Sequence, residues 1–447
     1  MTTELIARYS GNVPRYTSYP TAPHFHDGVD NETYRGWLAA LGDGDTLSLY
    51  LHIPYCDRLC WFCACHTKHT LKYAPVKAYL AALAAEIRTV SQAVSRQCRV
   101  IAIHFGGGSP TMLAPEDLIE LMLLLRESFM IASGAEISVE MDPNDLDGAR
   151  YDALAAIGTT RASLGVQDFA PEVQQAINRL QTFEQTAEVV REVRARGVGS
   201  VNCDIVYGLP HQTLSRLERT VTDIISLDPD RVALFGYAHV PWMKKHQTMI
   251  DERDLAGPED RFELMCRASA MLVAAGYRPI GLDHFAKPDD SLAIAAANGT
   301  LSRNFQGYTD DRATALIGLG ASSIGRLPQG YIQNNPATGV YESEVTKGRL
   351  AVARGLALSA DDRMRSWVIE RLMCDFELDF AALGAAFGPA ASTIVAEAQA
   401  LAATNPDVTI SAGRLIVAPA ARPFVRSIAA RFDAYLARGT GRHSIAV

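Results

Sequence analysis

Three features of the 447-residue chain predict an α/β fold: a partial (β/α)6 barrel of the TIM type, with an N-terminal arm and a mostly helical C-terminal domain. Short apolar runs alternate with longer segments whose apolar residues recur every three or four positions, as in parallel strands joined by helical crossovers. Nearly every strand-like run ends in glycine, an acid, an amide or a cysteine. Catalytic groups of a (β/α) barrel collect at the C-terminal ends of its strands, so these endings would share one mouth. An open doubly wound sheet is the competing architecture.

The arm, residues 1–45, contains PRYTSYPT (Pro14–Thr21), too rich in proline and turn formers for a regular element. The barrel is assigned to residues 46–350. The run LSLYLHIPY leads into CDRLCWFCAC, and Val76–Val94 then has helical spacing. The strand VIAIHF (Val100–Phe105) stops at Gly106-Gly107-Gly108 and precedes the helix Glu116–Phe129. The strand Glu136–Glu140 precedes the helix Tyr151–Ile157. The strand Arg161–Val166 ends at Gln167-Asp168, followed by helices around Pro171–Ile177 and Phe183–Arg196. The strand Val201–Val206 carries Asp204 near its end, and the helix Leu214–Leu227 follows. The strand Arg231–His239 ends near Ala238, before a less regular seventh region around YRPIGLDHF. In the C-terminal domain, residues 351–447, Leu358–Phe376 reads as a helix capped by Ser359. Val408–Pro419 reads as a hairpin turning at Ala412-Gly413, and Ala421–Leu436 as a final helix. Helices flanking a hairpin make a winged-helix-like unit, read here as a packing domain and not a DNA reader.

Composition narrows the function. With 48% hydrophobic residues a large core can be buried. No apolar run approaches the ~20 residues of a membrane span, and the N-terminus lacks a secretory pattern. A net charge of −8 argues against a nucleic-acid partner. A cytoplasmic protein without membrane attachment, and a monomer, is expected. Any anionic substrate must then be met by locally placed Arg, Lys or His.

Cys56, Cys60, Cys63 and Cys65 form C-x3-C-x2-C-x-C, the most informative pattern in the chain. Thiolates this close on one loop are soft-metal ligands more often than disulfide partners. Three can hold three irons of a [4Fe–4S] cluster and leave the fourth open to a small molecule. Structural zinc usually draws two separated Cys pairs. Cys98, Cys203, Cys266 and Cys374 stand singly in apolar segments and read as core residues.

With YLHIPY ahead of the cysteines, GGGSPT and Glu140, the chain resembles the radical S-adenosylmethionine enzymes. PRYTSYPT, Cys65, GVQDF, NCDIVYGLP, YAHVP, DHFAKPDD and NFQGYT narrow this to a resemblance to the oxygen-independent coproporphyrinogen III oxidases. The resemblance implies oxidative decarboxylation of the ring A and B propionates of coproporphyrinogen III to vinyl groups, giving protoporphyrinogen IX for haem synthesis. It implies a [4Fe–4S] cluster, two S-adenosylmethionine molecules per chain, a 5′-deoxyadenosyl radical and an unidentified electron donor. The same fold also serves haem chaperones without oxidase activity, but those carry an aromatic residue at the position of Cys65 and lack PRYTSYPT.

Residue by residue, the resemblance makes Cys56, Cys60 and Cys63 the cluster ligands and leaves Cys65 outside the ligand set, as either a packing thiol or a participant in turnover. It places Tyr50, Gly107, Glu140 and Ile324 at the first S-adenosylmethionine. Gly108, Ser109, Phe62, Gln167, Arg179, Asp204 and Ala238 fall at the second; Ser109 stands where the family often has Thr. Glycine would let the main chain approach a ligand closely. Arg15, Arg161, Arg303 and Lys287 are candidates for the propionates, although a solvated charge is the plainer reading of each. PRYTSYPT is expected to form a lid over the barrel mouth.

Overall fold

Six strands run parallel in chain order: β1 Thr46–Ile53, β2 Arg99–Gly107, β3 Met130–Met141, β4 Arg161–Gln167, β5 Ser200–Tyr207 and β6 Arg231–Gly236. They belong to a computed structural model that describes residues 2–9, 11–144 and 146–436. The seventh region is a short antiparallel pair, β7 Arg278–Ile280 and β8 His284–Ala286, with β8 against β6. On the opposite flank β9 Ala315–Leu319 runs parallel to β1. Three antiparallel strands follow: β10 Ile324–Leu327, β11 Gly330–Asn334 and β12 Val352–Ala357. The twelve-stranded sheet has the order β12-β11-β10-β9-β1-β2-β3-β4-β5-β6-β8-β7. Its edges β12 and β7 are not neighbours, so the barrel is partial and not closed.

The alternation of side chains along the strands is reversed relative to an ordinary barrel, whose interior is filled by branched apolar residues. Leu47, Leu49, Leu51 and Ile53 of β1 join Val100, Ile103, Ile137, Val139, Leu164, Val201 and Ile205 in the main hydrophobic cluster beneath the helices. The intervening positions, among them Ser48, His104, Ser138, Ser163 and Asn202, line an inner space of about 200 Å³. The apolar core thus lies between sheet and helices, and the lumen is polar.

The helices supply the other half of that core. Leu214–Ser226 starts where the Thr213 hydroxyl accepts from Arg216 N–H at 3.3 Å and buries Leu217, Val221 and Ile224, one stripe at helical spacing. Each buried aliphatic side chain contributes roughly 1.5–3 kcal/mol. A charge at Val221, which is 0% exposed, would break this contact. Phe183–Ala195 begins with a reciprocal Thr182–Gln185 capping box and buries Val189, Val190 and Val193.

A second hydrophobic cluster ties the two ends of the chain together. Leu5, Ile6, Tyr9, Val13, Tyr16 and Tyr19 of the arm pack with Val368, Leu372, Phe424 and Ile428. The segment Pro14–Thr21 has no helix or strand, but Arg426 Nη2 donates to Val13 O at 2.8 Å and Tyr16 OH to Asp433 at 2.9 Å. Ala360–Asp375 carries a Ser359–Asp362 capping box, and Val408–Ser411 pairs with Arg414–Val417 across Ala412 (φ 49°) and Gly413 (φ 76°). Two positive φ values in a two-residue loop match the twist of a hairpin.

Three expectations fail here. The final helix is broken into Pro419–Phe424, Val425–Ala429 and Ala430–Phe432, and Pro423, which has no N–H to donate, lies inside the first piece. Cys266 is exposed, on the outer face of Pro258–Ala274, whereas Cys98, Cys203 and Cys374 are buried. One stretch, Phe380–Thr404, does have the length and mean hydropathy, 1.3, of a membrane span. Gly388 (φ 58°) and Pro389 divide it into helices of 8 and 14 residues, about 12 and 21 Å long and short of a ~30 Å bilayer core.

Candidate active site

The C-terminal ends of β1 to β6 converge as the strand endings suggested, and the glycine turn after β2 clasps the start of the cysteine loop. Gly108 N–H donates to Ile53 O at 2.7 Å and Ser109 N–H to Tyr55 O at 2.8 Å. A Cβ on Gly108 would lie 2.5 Å from Tyr55 O and 3.0 Å from Cys56 Sγ, and one on Gly106 would lie 2.8 Å from Glu140 Oε1. Gly107 has φ +115°, a conformation open only to glycine at low cost. The close approaches that demand glycine are therefore to the site's own walls, Glu140 and the cysteine loop. Ser109 is 4% exposed, with its hydroxyl 3.0 Å from that of Thr111.

The cysteine loop is held by its carbonyls. His246 Nε2 reaches Cys63 O at 2.7 Å, Lys244 Nζ donates to Cys65 O at 2.7 Å, and Gln247 Nε2 to Phe62 O at 2.8 Å. Asn178 Nδ2 donates to Leu59 O at 2.9 Å, and Trp61 N–H to Ile177 O at 2.9 Å. His52 Nε2 lies 2.9 Å from His66 O, so it carries the proton and leaves Nδ1 to accept from Tyr50 OH at 3.0 Å. Burial lowers His52 to about 4, so the ring stays neutral. With these carbonyls occupied, the sulfurs are the soft donors the loop has to offer.

Arg179 connects three walls of the mouth. It is 7% exposed, and its guanidinium donates to Gly165 O at 2.6 Å, Asp142 Oδ2 at 3.0 Å and Cys60 Sγ at 3.6 Å. A cation against Cys60 favours its thiolate, although burial still holds that thiol above its ordinary value. Cys65 N–H donates to Cys63 Sγ at 3.4 Å. Glu140 accepts from His104 Nε2 at 3.0 Å and Gly107 N–H at 2.9 Å. Burial pushes Glu140 up, but those bonds outweigh it and leave the carboxyl below its ordinary value. Asp204 accepts from Asn202 Nδ2 at 2.8 Å and is raised to about 6, chiefly by burial.

A cleft of about 410 Å³ opens at this mouth and is lined by Phe62, Cys63, Cys65, Gln167, Asp204 and Ala238. Gln167 ends β4 with φ +70°. Tyr50 stacks on His104 (5.7 Å between rings), which with Glu140 faces the adjoining lumen. Ile324 stands apart from both spaces: its backbone packs on Gly318, the register partner of Tyr50, and its side chain on the Phe25–Tyr331 cluster. Arg15 and Arg303 line the cleft, together with Arg261 and Arg426. Arg161 and Lys287 do not. Arg161 starts β4 and pairs with Glu136, and Lys287 pairs with Asp228 at 2.9 Å and Asp230 at 3.5 Å, all at the opposite end of the barrel. His104, Asp142, Arg261 and Arg426 carry no sequence signal of their own, being single residues in otherwise ordinary segments, and His52 lies within YLHIPY without standing out from it.

Among the described residues no three His, Cys, Asp or Glu side chains converge as a single metal ion requires. A cubane cluster holds its thiolates farther apart than one ion does, and the donor set of Cys56, Cys60 and Cys63 on one carbonyl-anchored loop fits such a cluster. Gly108, whose added Cβ would press on Cys56 Sγ, keeps that sulfur accessible.

Residues 50–224 match the Radical SAM superfamily. The oxygen-independent coproporphyrinogen III oxidase of Paracoccus denitrificans is 48% identical over 445 residues, covering 99% of this chain and 98% of the relative. That of Pseudomonas aeruginosa is 43% identical over 446 residues, covering 97% and 95%. Coproporphyrinogen III oxidase from Escherichia coli, a radical SAM enzyme, superposes with a TM-score of 0.90 at 37% identity, covering 95% of this chain and all of that one.

Proposed function

Since the chain belongs to the oxygen-independent coproporphyrinogen III oxidases, radical SAM enzymes of porphyrin biosynthesis, we propose that its barrel mouth is where coproporphyrinogen III is oxidatively decarboxylated to protoporphyrinogen IX. The observation that supports this reading is the meeting of the cysteine loop, the Gly106–Gly108 turn, Glu140, Arg179 and Asp204 at one end of a polar lumen.

In this reading Cys56, Cys60 and Cys63 hold three irons of a [4Fe–4S] cluster, and Cys65 stays outside the ligand set. When bound, the cluster and S-adenosylmethionine supply one-electron reduction and hydrogen-atom abstraction from a propionate β-carbon. The chain's own work is positioning. Arg179 steadies the Cys60 sulfur and, through Asp142 and Gly165, fixes it to the ends of β3 and β4. Tyr50, the Gly107 main chain, Glu140 and Ile324 contribute to the first S-adenosylmethionine site. Glu140 is ionised at neutral pH and has lone pairs left to accept from an ammonium or hydroxyl group. Phe62, Gly108, Ser109, Gln167, Arg179, Asp204 and Ala238 contribute to a second site, so that two molecules bind per chain. Asp204, at about 6, is mostly ionised at pH 7 and can accept from ribose hydroxyls. The arm, residues 1–45, covers the mouth as a lid over the barrel of residues 46–350, backed by the domain of residues 351–447. The thiolates call for a reducing compartment, and a cytoplasmic monomer served by an external one-electron donor completes the proposal.

Anaerobic incubation of the cluster-loaded protein with coproporphyrinogen III, S-adenosylmethionine and a reductant tests it. Protoporphyrinogen IX and carbon dioxide are the expected products. Stoichiometric haem capture with no product would establish the chaperone alternative instead.

A further inference from the structure

The cleft beside the cysteines has one wall made of guanidinium groups drawn from four separate parts of the chain. Arg15 comes from the arm, Arg261 from the helix Pro258–Ala274, Arg303 from the short strand Ser302–Asn304, which pairs with Gly307–Thr309, and Arg426 from the C-terminal domain. Like charges are not brought together in a half-buried space without a compensating partner. Arg303, with a side chain 5% exposed, has no hydrogen-bond partner for Nε or Nη1 among the described residues, and Arg261 has none for Nε. Arg303 lies over the Tyr308 ring at 4.3 Å, and Asp283 Oδ1 stands 3.9 Å from its Nη1. Arg426 is 7% exposed and holds Val13 O and Pro14 O. Burial first, then the charges of Arg15 and Arg303, lower Arg426 to about 10.

The acids on this wall are too few to neutralise it. Asp283 and Asp204 line the same cleft, against four arginines. Between the arginines lie apolar surfaces, Phe62, Leu234, Phe305, Met265 and Leu282. Fixed guanidinium forks set around an apolar floor recognise a flat, hydrophobic molecule with several carboxylates on its rim.

We propose that Arg15, Arg261, Arg303 and Arg426 form the carboxylate-binding wall of the substrate site, with Arg303 and Arg261, whose Nε atoms have no hydrogen-bond partner among the described residues, receiving propionate groups. The assignment rests on the porphyrinogen reading above and goes beyond it by naming the anchoring residues and excluding Arg161 and Lys287. It also gives the C-terminal domain a place in substrate recognition, because Arg426 both lines the cleft and holds the arm that carries Arg15.

The test uses anaerobic ultrafiltration of the cluster-loaded protein with coproporphyrin III, the stable tetracarboxylate, and with its tetramethyl ester. Arg303→Gln and Arg261→Gln should each weaken coproporphyrin III binding about ten- to a hundredfold, the cost of a lost charge-assisted bond. Ester binding should stay within about twofold of the unmodified protein, and Arg303→Lys should recover part of the loss. The exposed Arg219, on the helix Leu214–Ser226, serves as control, and Arg219→Gln should change neither. A purely structural role would move acid and ester together, and that result, or unchanged acid binding in both variants, overturns the assignment. Arginine-dependent binding by a protein that yields no protoporphyrinogen IX would leave the wall standing and remove the reaction. Turnover without arginine dependence would do the reverse.

Discussion

The two ends of the barrel lumen are built from the same residue types and do opposite things. At the N-terminal end of the strands, Arg161 meets Glu136 and Arg231 meets Asp290 at 2.8 Å with side chains only 4% and 6% exposed. At the C-terminal end, Arg179 binds a sulfur, Glu140 and Asp204 face open space, and four arginines share the cleft with two acids. At the closed end the charges are spent on each other, whereas at the open end Arg179 is paired with Asp142 and still reaches the Cys60 sulfur. Substitutions at the two ends should therefore separate stability from activity.

The largest effect is expected at the open end. Cys60→Ser should abolish turnover, by more than about a thousandfold, and remove the visible iron–sulfur absorbance while far-ultraviolet circular dichroism is retained. At the closed end Arg231→Met should cost about 3–5 kcal/mol in urea unfolding by leaving Asp290 buried and unpaired. Turnover per folded, cluster-loaded molecule should be preserved, and Arg231→Met with Asp290→Leu should regain most of the stability. Loss of turnover in the folded double variant would erase the distinction between the ends.

A buried acid just behind the mouth sharpens the comparison. Glu86 accepts from Gly320 N–H at 2.7 Å, Tyr341 OH at 2.7 Å and Asn334 Nδ2 at 2.5 Å, and burial raises it to about 7 from 4.5. The folded state binds this proton more tightly than the unfolded chain. Its stability contribution is thus fully present below pH 4.5 and lost as pH rises through 7, a change of roughly 3 kcal/mol. Unfolding of Glu86→Gln followed across that window should lack this component. The smallest effect is expected for Arg179→Gln, which should lower activity about ten- to a hundredfold while Cys60 still binds iron. Iron content and turnover measured on the same sample check it.

What could be read in advance follows from how local each signal is. The (β/α) alternation, the cysteine loop and the strand endings at Gly106, Glu140, Gln167 and Asp204 depend on neighbours in sequence. The arginines depend on strand direction and on tertiary packing. Arg161 and Gln167 share a strand and an inward face, and only their positions at its start and end separate an ion pair from the mouth. Arg261 and Arg426 sit in helices whose periodicity gives no reason to single them out. The strand β9 is five residues among glycines, too short for its pattern to declare it, and the apolar spacing of Ala421–Leu436 does not show where that helix divides.

Electron paramagnetic resonance of the reduced, anaerobically reconstituted protein is the most direct check on the open end of the lumen. The unmodified chain and Cys65→Ser should both give a cluster signal that changes when S-adenosylmethionine is added, and Cys63→Ser should give none. A signal indifferent to S-adenosylmethionine, or one that survives Cys63→Ser unchanged, would contradict a three-cysteine cluster with an iron open to its cosubstrate.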